Sequence, residues 1–278
     1  MPVTDYLRKR FMPHIWCPGC GHGIVLNSLL RAVEQLELAK NDIVMISGIG
    51  CSARMQGYVD FHTLHTLHGR ALAFATGIKM AWPLLNVIVP MGDGDALAIG
   101  GNHFIHAARR NIDVTAIILN NSIYGMTGGQ YSPLTECGDL ATTAPYGTVD
   151  PPFDSVQLAT AAGASFVART TTYHAREMTR ILAKAITHRG FSVVEVLSQC
   201  PTYYGRRNGK GDAVAMMEHY RDNAVKLGQG NGSGTADSGA IPIGIFRQEE
   251  RPEYCTSYRE KILESTSQQT GRSQGEGK

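Results

Sequence analysis

At 278 residues and 43% hydrophobic content, the chain can bury one substantial core. Its 26 basic and 24 acidic side chains leave a formal charge of only +2, which is no electrostatic footprint for nucleic acid or an anionic membrane. No apolar run reaches the roughly 18 residues a membrane helix needs, and the first ten residues lack the apolar stretch of a signal peptide, so a cytoplasmic protein is expected.

After a short polar arm, apolar residues at helical spacing predict a helix from about Ile24 to Leu38, followed by a buried strand, Asp42 to Ser47, that ends in Gly48-Ile49-Gly50. A small-residue helix from about Arg70 to Ala81 leads into the strand Asn86 to Met91, then Gly92-Asp93-Gly94-Asp95 and a helix near Leu97 to Arg110. The strand Val114 to Leu119 ends at Asn120-Asn121. Beyond a loop rich in Gly, Thr and Pro the alternation resumes: helix Ser155 to Ala162, strand Phe166 to Arg169, helix Ala175 to His188, strand Ser192 to Leu197. Strands alternating with helices predict a doubly wound α/β fold, a parallel sheet covered on both faces.

One domain is expected over residues 1–227. The run Gly228-Gln229-Gly230-Asn231-Gly232-Ser233-Gly234 opens a flexible linker over 228–240 by composition. Residues 241–278 form a C-terminal extension: an apolar patch of Ile241, Ile243, Ile245 and Phe246, expected to pack on a partner subunit or back on the core, and a polar tail from Ser265 to Lys278, expected to be disordered.

In an open parallel sheet, ligands bind beyond the carboxyl ends of the strands, where helix N-termini favour anions. Asp93 follows one strand and Asn121 the next, spaced for one turn, one helix and one strand, so a carboxylate and a carboxamide come side by side. Hard oxygen ligands suit Mg²⁺ bridging a diphosphate, and the glycines around Asp93 let backbone approach phosphate. Asp93, Asn121 and the Ile123 carbonyl are the expected metal ligands. Taken singly, Gly-Asp-Gly-Asp reads equally well as a turn and Asn-Asn as a loop; a dinucleotide site fits less well, since no Gly-x-Gly-x-x-Gly opens a helix with an acidic residue following.

Six cysteines in a chain of this length, two of them in Cys17-Pro18-Gly19-Cys20, point to metal or redox chemistry and not to secreted disulfides. Cys17, Cys20, Cys51 and Cys200 all fall at loops or strand ends. Four thiolates can hold Zn²⁺ or an iron–sulfur cluster, and one close pair with two dispersed cysteines is less like a structural zinc site, which draws on two close pairs. Cys51 shares the Gly48–Ser52 loop expected to face the diphosphate. Cys137 and Cys255 read as ordinary free thiols.

Trp16-Cys17-Pro18-Gly19-Cys20-Gly21-His22-Gly23, Gly48-Ile49-Gly50-Cys51-Ser52, His65-Thr66-Leu67-His68-Gly69-Arg70-Ala71, Gly92-Asp93-Gly94-Asp95 and Asn120-Asn121-Ser122-Ile123-Tyr124-Gly125-Met126-Thr127 together resemble the β subunits of 2-oxoacid:ferredoxin oxidoreductases. Gly128-Gly129-Gln130-Tyr131-Ser132-Pro133 is most similar to the 2-oxoglutarate branch. The resemblance implies a thiamine-diphosphate-binding domain, with the cofactor against Ile49, Gly50, Cys51, Ser52, His68, Gly94, Asp95, Gly125 and Met126, and a 4Fe-4S cluster on Cys17, Cys20, Cys51 and Cys200. His68 also fits a structural role, as do His62 and His65.

The implied activity is oxidative decarboxylation of 2-oxoglutarate to succinyl-CoA and CO2 with ferredoxin reduction, or the reductive reverse. Thiamine enzymes need a glutamate on the pyrimidine ring, normally from a second α/β domain, and neither is found here. A larger α subunit is therefore expected to complete the site, in a heterodimer or dimer of heterodimers. Arg54, three residues past Cys51, is placed to pair bidentately with the distal carboxylate of 2-oxoglutarate, an alternative being a structural or interface partner. Arg206, Arg207 and Lys210 form a basic loop after Cys200 that suits docking of an acidic ferredoxin, or is simply a solvated loop. Two other readings stay open: a pyruvate or broad 2-oxoacid oxidoreductase, and a zinc-stabilised binding module without catalysis.

Overall fold

The computed structural model describes residues 1–228 and 239–275. In chain order the main elements are α1 (His22–Gln35), β1 (Ile43–Ser47), α2 (Met55–Tyr58), β2 (His62–His65), α3 (Ala71–Ala81), β3 (Asn86–Gly92), α4 (Asp93–Leu97), α5 (Gly101–Arg110), β4 (Val114–Asn120), the short strands β5 (Ile123–Tyr124) and β6 (Gln130–Tyr131), α6 (Ser155–Ala162), β7 (Phe166–Thr171), α7 (Ala175–Thr187), β8 (Phe191–Leu197), α8 (Ala213–Asn223), β9 (Ala224–Lys226), β10 (Ile241–Gln248) and α9 (Tyr254–Gly275).

Eight strands form one sheet in the order β2-β1-β3-β4-β8-β7-β10-β9. The chain steps from β1 through β3 to β4 in one direction and then returns from β7 to β8, so the sheet is doubly wound. The central strand β4 is buried along its whole length, which explains its apolar run Ala116 to Leu119. Successive residues serve opposite faces. Met45, Ile88, Ile117 and Val194 pack under α1 and α7, and Val44, Val87, Ile118 and Val193 pack under α3, α5 and α6. Among the described residues no helix is long and apolar enough to cross a membrane.

The helices and strands expected from periodicity are present with small shifts at their ends. The expected helix from Leu97 is two pieces, α4 and α5, because a side chain at Gly100 would strike the Asp95 and Ala96 carbonyls where the chain turns between them. The edge strand β2 carries His62 and His65, both exposed, and shows no alternation for periodicity to detect. Helices α8 and α9 and strand β9 are also additions. Asp212 caps α8, accepting from the Val214 and Ala215 amides.

The apolar patch of Ile241–Phe246 docks on the core as β10, antiparallel to β7, with Gly244 opposite Arg169 and Gln248 opposite Phe166. The sheet is therefore mixed at this edge and not wholly parallel. Most of the expected 228–240 linker, residues 229–238, lies outside the described residues. Ser265 to Gly275 belongs to α9 where the sequence reading expects a disordered tail. Residues 276–278 of that expected tail lie outside the described residues, and the Glu253 carboxylate starts α9 by accepting from the Cys255 and Thr256 amides.

Candidate functional site

The carboxyl ends of β1, β3 and β4 open on one cavity of about 480 Å³. Its lining includes the expected Mg²⁺ ligands Asp93, Asn121 and Ile123 and every residue expected against the thiamine cofactor, with Gly48, Arg54, Cys17, Cys20 and Cys200 outside it. His22, Tyr124, Thr127 and Gln130 also line it and carry no assigned role from the sequence. All four lie inside the motifs already quoted, so position within a motif was the available signal.

Asp93 opens α4 and is 2% exposed. Burial pushes its carboxyl up to about 7, against the hydrogen bond that Ser132 Oγ donates to its Oδ2 at 2.5 Å. The Asn121 side chain, at the end of β4, lies 2.7 Å from the Ile123 carbonyl oxygen and 3.2 Å from Asp93 Oδ1. With its amide nitrogen turned inward, Asn121 donates to both oxygens. With its oxygen inward, three acceptors converge, which is the arrangement a divalent cation would satisfy. Asp93, Asn121 and the Ile123 carbonyl can therefore hold Mg²⁺, and the charge of the ion would keep Asp93 ionised.

Asp95 ties the neighbouring loops together. Its Oδ1 accepts from the Gly69 amide at 2.6 Å and the Ile49 amide at 3.5 Å, and lies 2.8 Å from His68 Nδ1. The His68 pKa is raised above its ordinary value by this carboxylate, against partial burial. His68 is thereby anchored at one nitrogen, and its ring meets Tyr124 edge-on. Asp95 Oδ2 and Ser52 Oγ are buried without a protein partner. Such orphaned polar atoms beside a cavity fit the polar groups of a bound ligand. Two glycines shape the floor: a Cβ at Gly94 would overlap the Tyr124 ring, and Gly50 adopts φ +118, which side-chain-bearing residues avoid. The sequence, the polar orphans and the close backbone all fit a diphosphate.

Cys51 lies on the cavity wall, and the other three candidate cysteines stand behind it. A Cβ at Gly125 would lie 3.4 Å from Cys51 Sγ and 3.8 Å from Cys200 Sγ. Burial pushes the Cys20 thiol up to about 12 and the Cys51 thiol up to about 11, and charges on the other cysteines of the set act in the same direction. The four sulfurs thus share one neighbourhood. Backbone amides of His22, Met126 and Tyr203 face Cys20, Cys51 and Cys200, as amides do around thiolate ligands. Yet among the described residues no three His, Cys, Asp or Glu side chains are gathered tightly enough to hold a single metal ion. Four thiols with backbone amides around them are a donor set that suits an iron–sulfur cluster.

Trp16 is buried and donates from Nε1 to the Cys51 carbonyl at 2.7 Å. Beside it His22 is fully buried, 2.9 Å from Ser198 Oγ through Nδ1, and burial pushes its pKa down to about 4, so it is neutral. Arg54, on the turn after Cys51, is half-buried with its Nε unpartnered and makes no ion pair among the described residues. Arg206, Arg207 and Lys210 are exposed, as expected of a surface loop, but Lys210 already pairs with Asp139 at 3.3 Å. Cys137 is exposed and Cys255 buried.

Residues 48–196 match the family described as thiamine pyrophosphate enzyme, C-terminal TPP binding domain. The chain is 48% identical over 272 residues to the 2-oxoglutarate synthase subunit KorB of Methanothermobacter thermautotrophicus, covering 98% of this chain and 94% of that one. It is 51% identical over 252 residues to the KorB subunit of Archaeoglobus fulgidus, covering 91% of each. Among solved structures it is similar to the 2-oxoglutarate:ferredoxin oxidoreductase from Magnetococcus marinus with 2-oxoglutarate, coenzyme A and succinyl-CoA bound, at TM-score 0.86 and 35% identity over 96% of this chain and 91% of that one. With a thiamine-pyrophosphate-binding fold across its core and this level of identity over nearly its whole length, the chain belongs to the KorB family of 2-oxoglutarate synthase subunits, which are oxidoreductases.

Proposed function

We propose that this chain is the subunit that holds thiamine diphosphate, Mg²⁺ and a 4Fe-4S cluster in a 2-oxoglutarate:ferredoxin oxidoreductase. The enzyme converts 2-oxoglutarate and coenzyme A to succinyl-CoA and CO2 while reducing ferredoxin, or runs in reverse. One observation carries the reading: the oxygen trio of Asp93, Asn121 and Ile123 and the thiol Cys51 line the same cavity, with Cys200 beside Cys51.

When bound, thiamine diphosphate supplies the electron sink for decarboxylation and the cluster supplies the one-electron acceptor. The residues of this chain bind, orient and insulate. Asp93, Asn121 and Ile123 take the cation, and Asp95 and Ser52 meet the polar end of the cofactor. His68, paired with Asp95 through Nδ1, lines the cavity and can serve there as a proton donor or acceptor. Gly125, having no side chain, keeps the space beside the Cys51 and Cys200 sulfurs open. Trp16, 7% exposed, shields that end from water.

Ile49 and Met126 in the lining and Leu67 beside His68 are 42%, 45% and 69% exposed. Apolar side chains at a cavity mouth are what a covering α subunit would bury, and that subunit would bring the glutamate this chain lacks. Arg206 and Arg207 remain available to an acidic ferredoxin. A zinc-stabilised module without catalysis is not favoured, because Cys51 lies in the lining of the cavity that the thiamine pyrophosphate-binding family match covers.

The test is anaerobic purification of the chain with its co-expressed partner subunit, followed by ferredoxin reduction driven by 2-oxoglutarate or pyruvate with coenzyme A. Faster reduction with 2-oxoglutarate is expected. A preference for pyruvate would move the reading to the broad 2-oxoacid enzyme.

A further inference from the structure

Glu195 stands in the middle of β8 between Val194 and Val196 and is 1% exposed. A carboxylate at such a position loses its water and persists only where it is paired and hydrogen-bonded. Both of its oxygens are committed. Oε2 accepts from Arg169 Nε on β7 at 2.5 Å, and Oε1 accepts from Asn120 Nδ2 at the end of β4 at 2.8 Å. Arg169 is held in turn by Asp154 Oδ1 at 2.8 Å. None of the three residues Glu195, Arg169 and Asn120 lines the cavity.

The chain of contacts ends at the cavity nonetheless. Asn120 Oδ1 accepts from the Ser122 amide at 3.1 Å. Ser122 adopts φ +59, a left-handed conformation that a serine keeps only when its surroundings impose it. That one residue lies between Asn121 and Ile123, and across it the Asn121 side chain comes within 2.7 Å of the Ile123 carbonyl oxygen and 3.2 Å of Asp93 Oδ1. Two apolar side chains would fill the Glu195 and Arg169 positions of the sheet at least as stably. A buried ionic chain that terminates on a strained turn therefore points to placement of that turn.

We propose that Glu195 and Arg169 are positioning residues that, through Asn120, set the Asn121–Ile123 turn in its cation-binding shape. The inference rests on the Mg²⁺–diphosphate reading of the cavity. It is tested on the full chain co-purified with its partner subunit, by calorimetric titration of thiamine diphosphate at fixed Mg²⁺, with Tm measured alongside. Glu195→Gln is expected to raise the Kd for the cofactor at least tenfold at low Mg²⁺, with recovery toward wild type at saturating Mg²⁺, because the ion can then drive the turn into shape. The double variant Glu195→Leu/Arg169→Met, which removes the pair without leaving a lone buried charge, is expected to keep the wild-type Tm and still show the weakened, Mg²⁺-dependent binding. Asn120→Ala, which leaves the ion pair intact, is expected to weaken binding in the same way. Wild-type affinity in Asn120→Ala or in the folded double variant would overturn the inference while leaving the cavity assignment standing, provided Asp93→Ala still weakens Mg²⁺-dependent binding. Absence of Mg²⁺-dependent binding in the wild-type complex would overturn both.

Discussion

Asn121 reaches to 3.2 Å from Asp93 Oδ1 although the two residues follow different strands, β4 and β3. Parallel pairing of Ile88 with Thr115 through Gly92 with Leu119 brings both strand ends to the same edge of the sheet, and there the two side chains meet over the cavity.

If that meeting point is a cation site, Asp93→Ala removes its charged ligand. Loss of a charge-assisted contact worth about 1.5–3 kcal/mol should weaken Mg²⁺-dependent thiamine diphosphate binding by about ten- to a hundredfold. Calorimetric titration of the complex measures it, and unchanged affinity would refute the metal assignment.

Iron content tests the cysteine set. The anaerobically purified complex should carry about four irons attributable to each copy of this chain, and Cys51→Ala should lose them. Elemental analysis giving stoichiometric zinc in place of iron would sink the cluster.

Arg54 separates substrate selection from architecture. Its Nε is buried without a partner, close to the Cys51 loop but outside the lining of the cavity. If the guanidinium meets the distal carboxylate of 2-oxoglutarate, Arg54→Ala should raise the KM for that acid by about ten- to a hundredfold and spare 2-oxobutyrate, which has no distal charge. Equal losses on the two acids would assign Arg54 to the loop or to the subunit interface.

The fold itself offers a stability test away from the cavity. Lys79 Nζ lies 2.7 Å from Asp113 and donates to the Leu85 carbonyl at 2.8 Å, with only 7% of the lysine side chain and 18% of the aspartate side chain exposed. Asp113→Ala strands the ammonium and frees the Gly190 amide that Asp113 accepts from, which should cost roughly 3 kcal/mol. Urea unfolding reads this, and Lys79→Met/Asp113→Leu should recover most of the loss.

Much of the fold was legible because periodicity reports burial. The buried apolar run Ala116 to Leu119 of β4 reads as a strand, and the spacing of Val25, Leu29, Ala32 and Val33 reads as one face of α1. Strand β10 was visible only as an apolar patch, since Ile241, Ile243 and Ile245 could as well have faced a partner. Its pairing with β7 depends on an open sheet edge that no local pattern encodes. Glu195 was read as part of a strand and nothing more, because its partners Asn120 and Arg169 lie 75 and 26 positions away in the chain.

By itself, the sequence determined which segments are strands and helices, where the glycine-bounded strand ends fall, and which oxygen- and sulfur-bearing side chains sit at them, because those properties are local. The spacing of Asp93 and Asn121 also brings carboxylate and carboxamide side by side, but the tertiary structure alone decided how closely they meet and that Cys200, after β8, stands beside Cys51, after β1. Those relationships depend on strand order and register, which follow from how all the apolar faces pack at once.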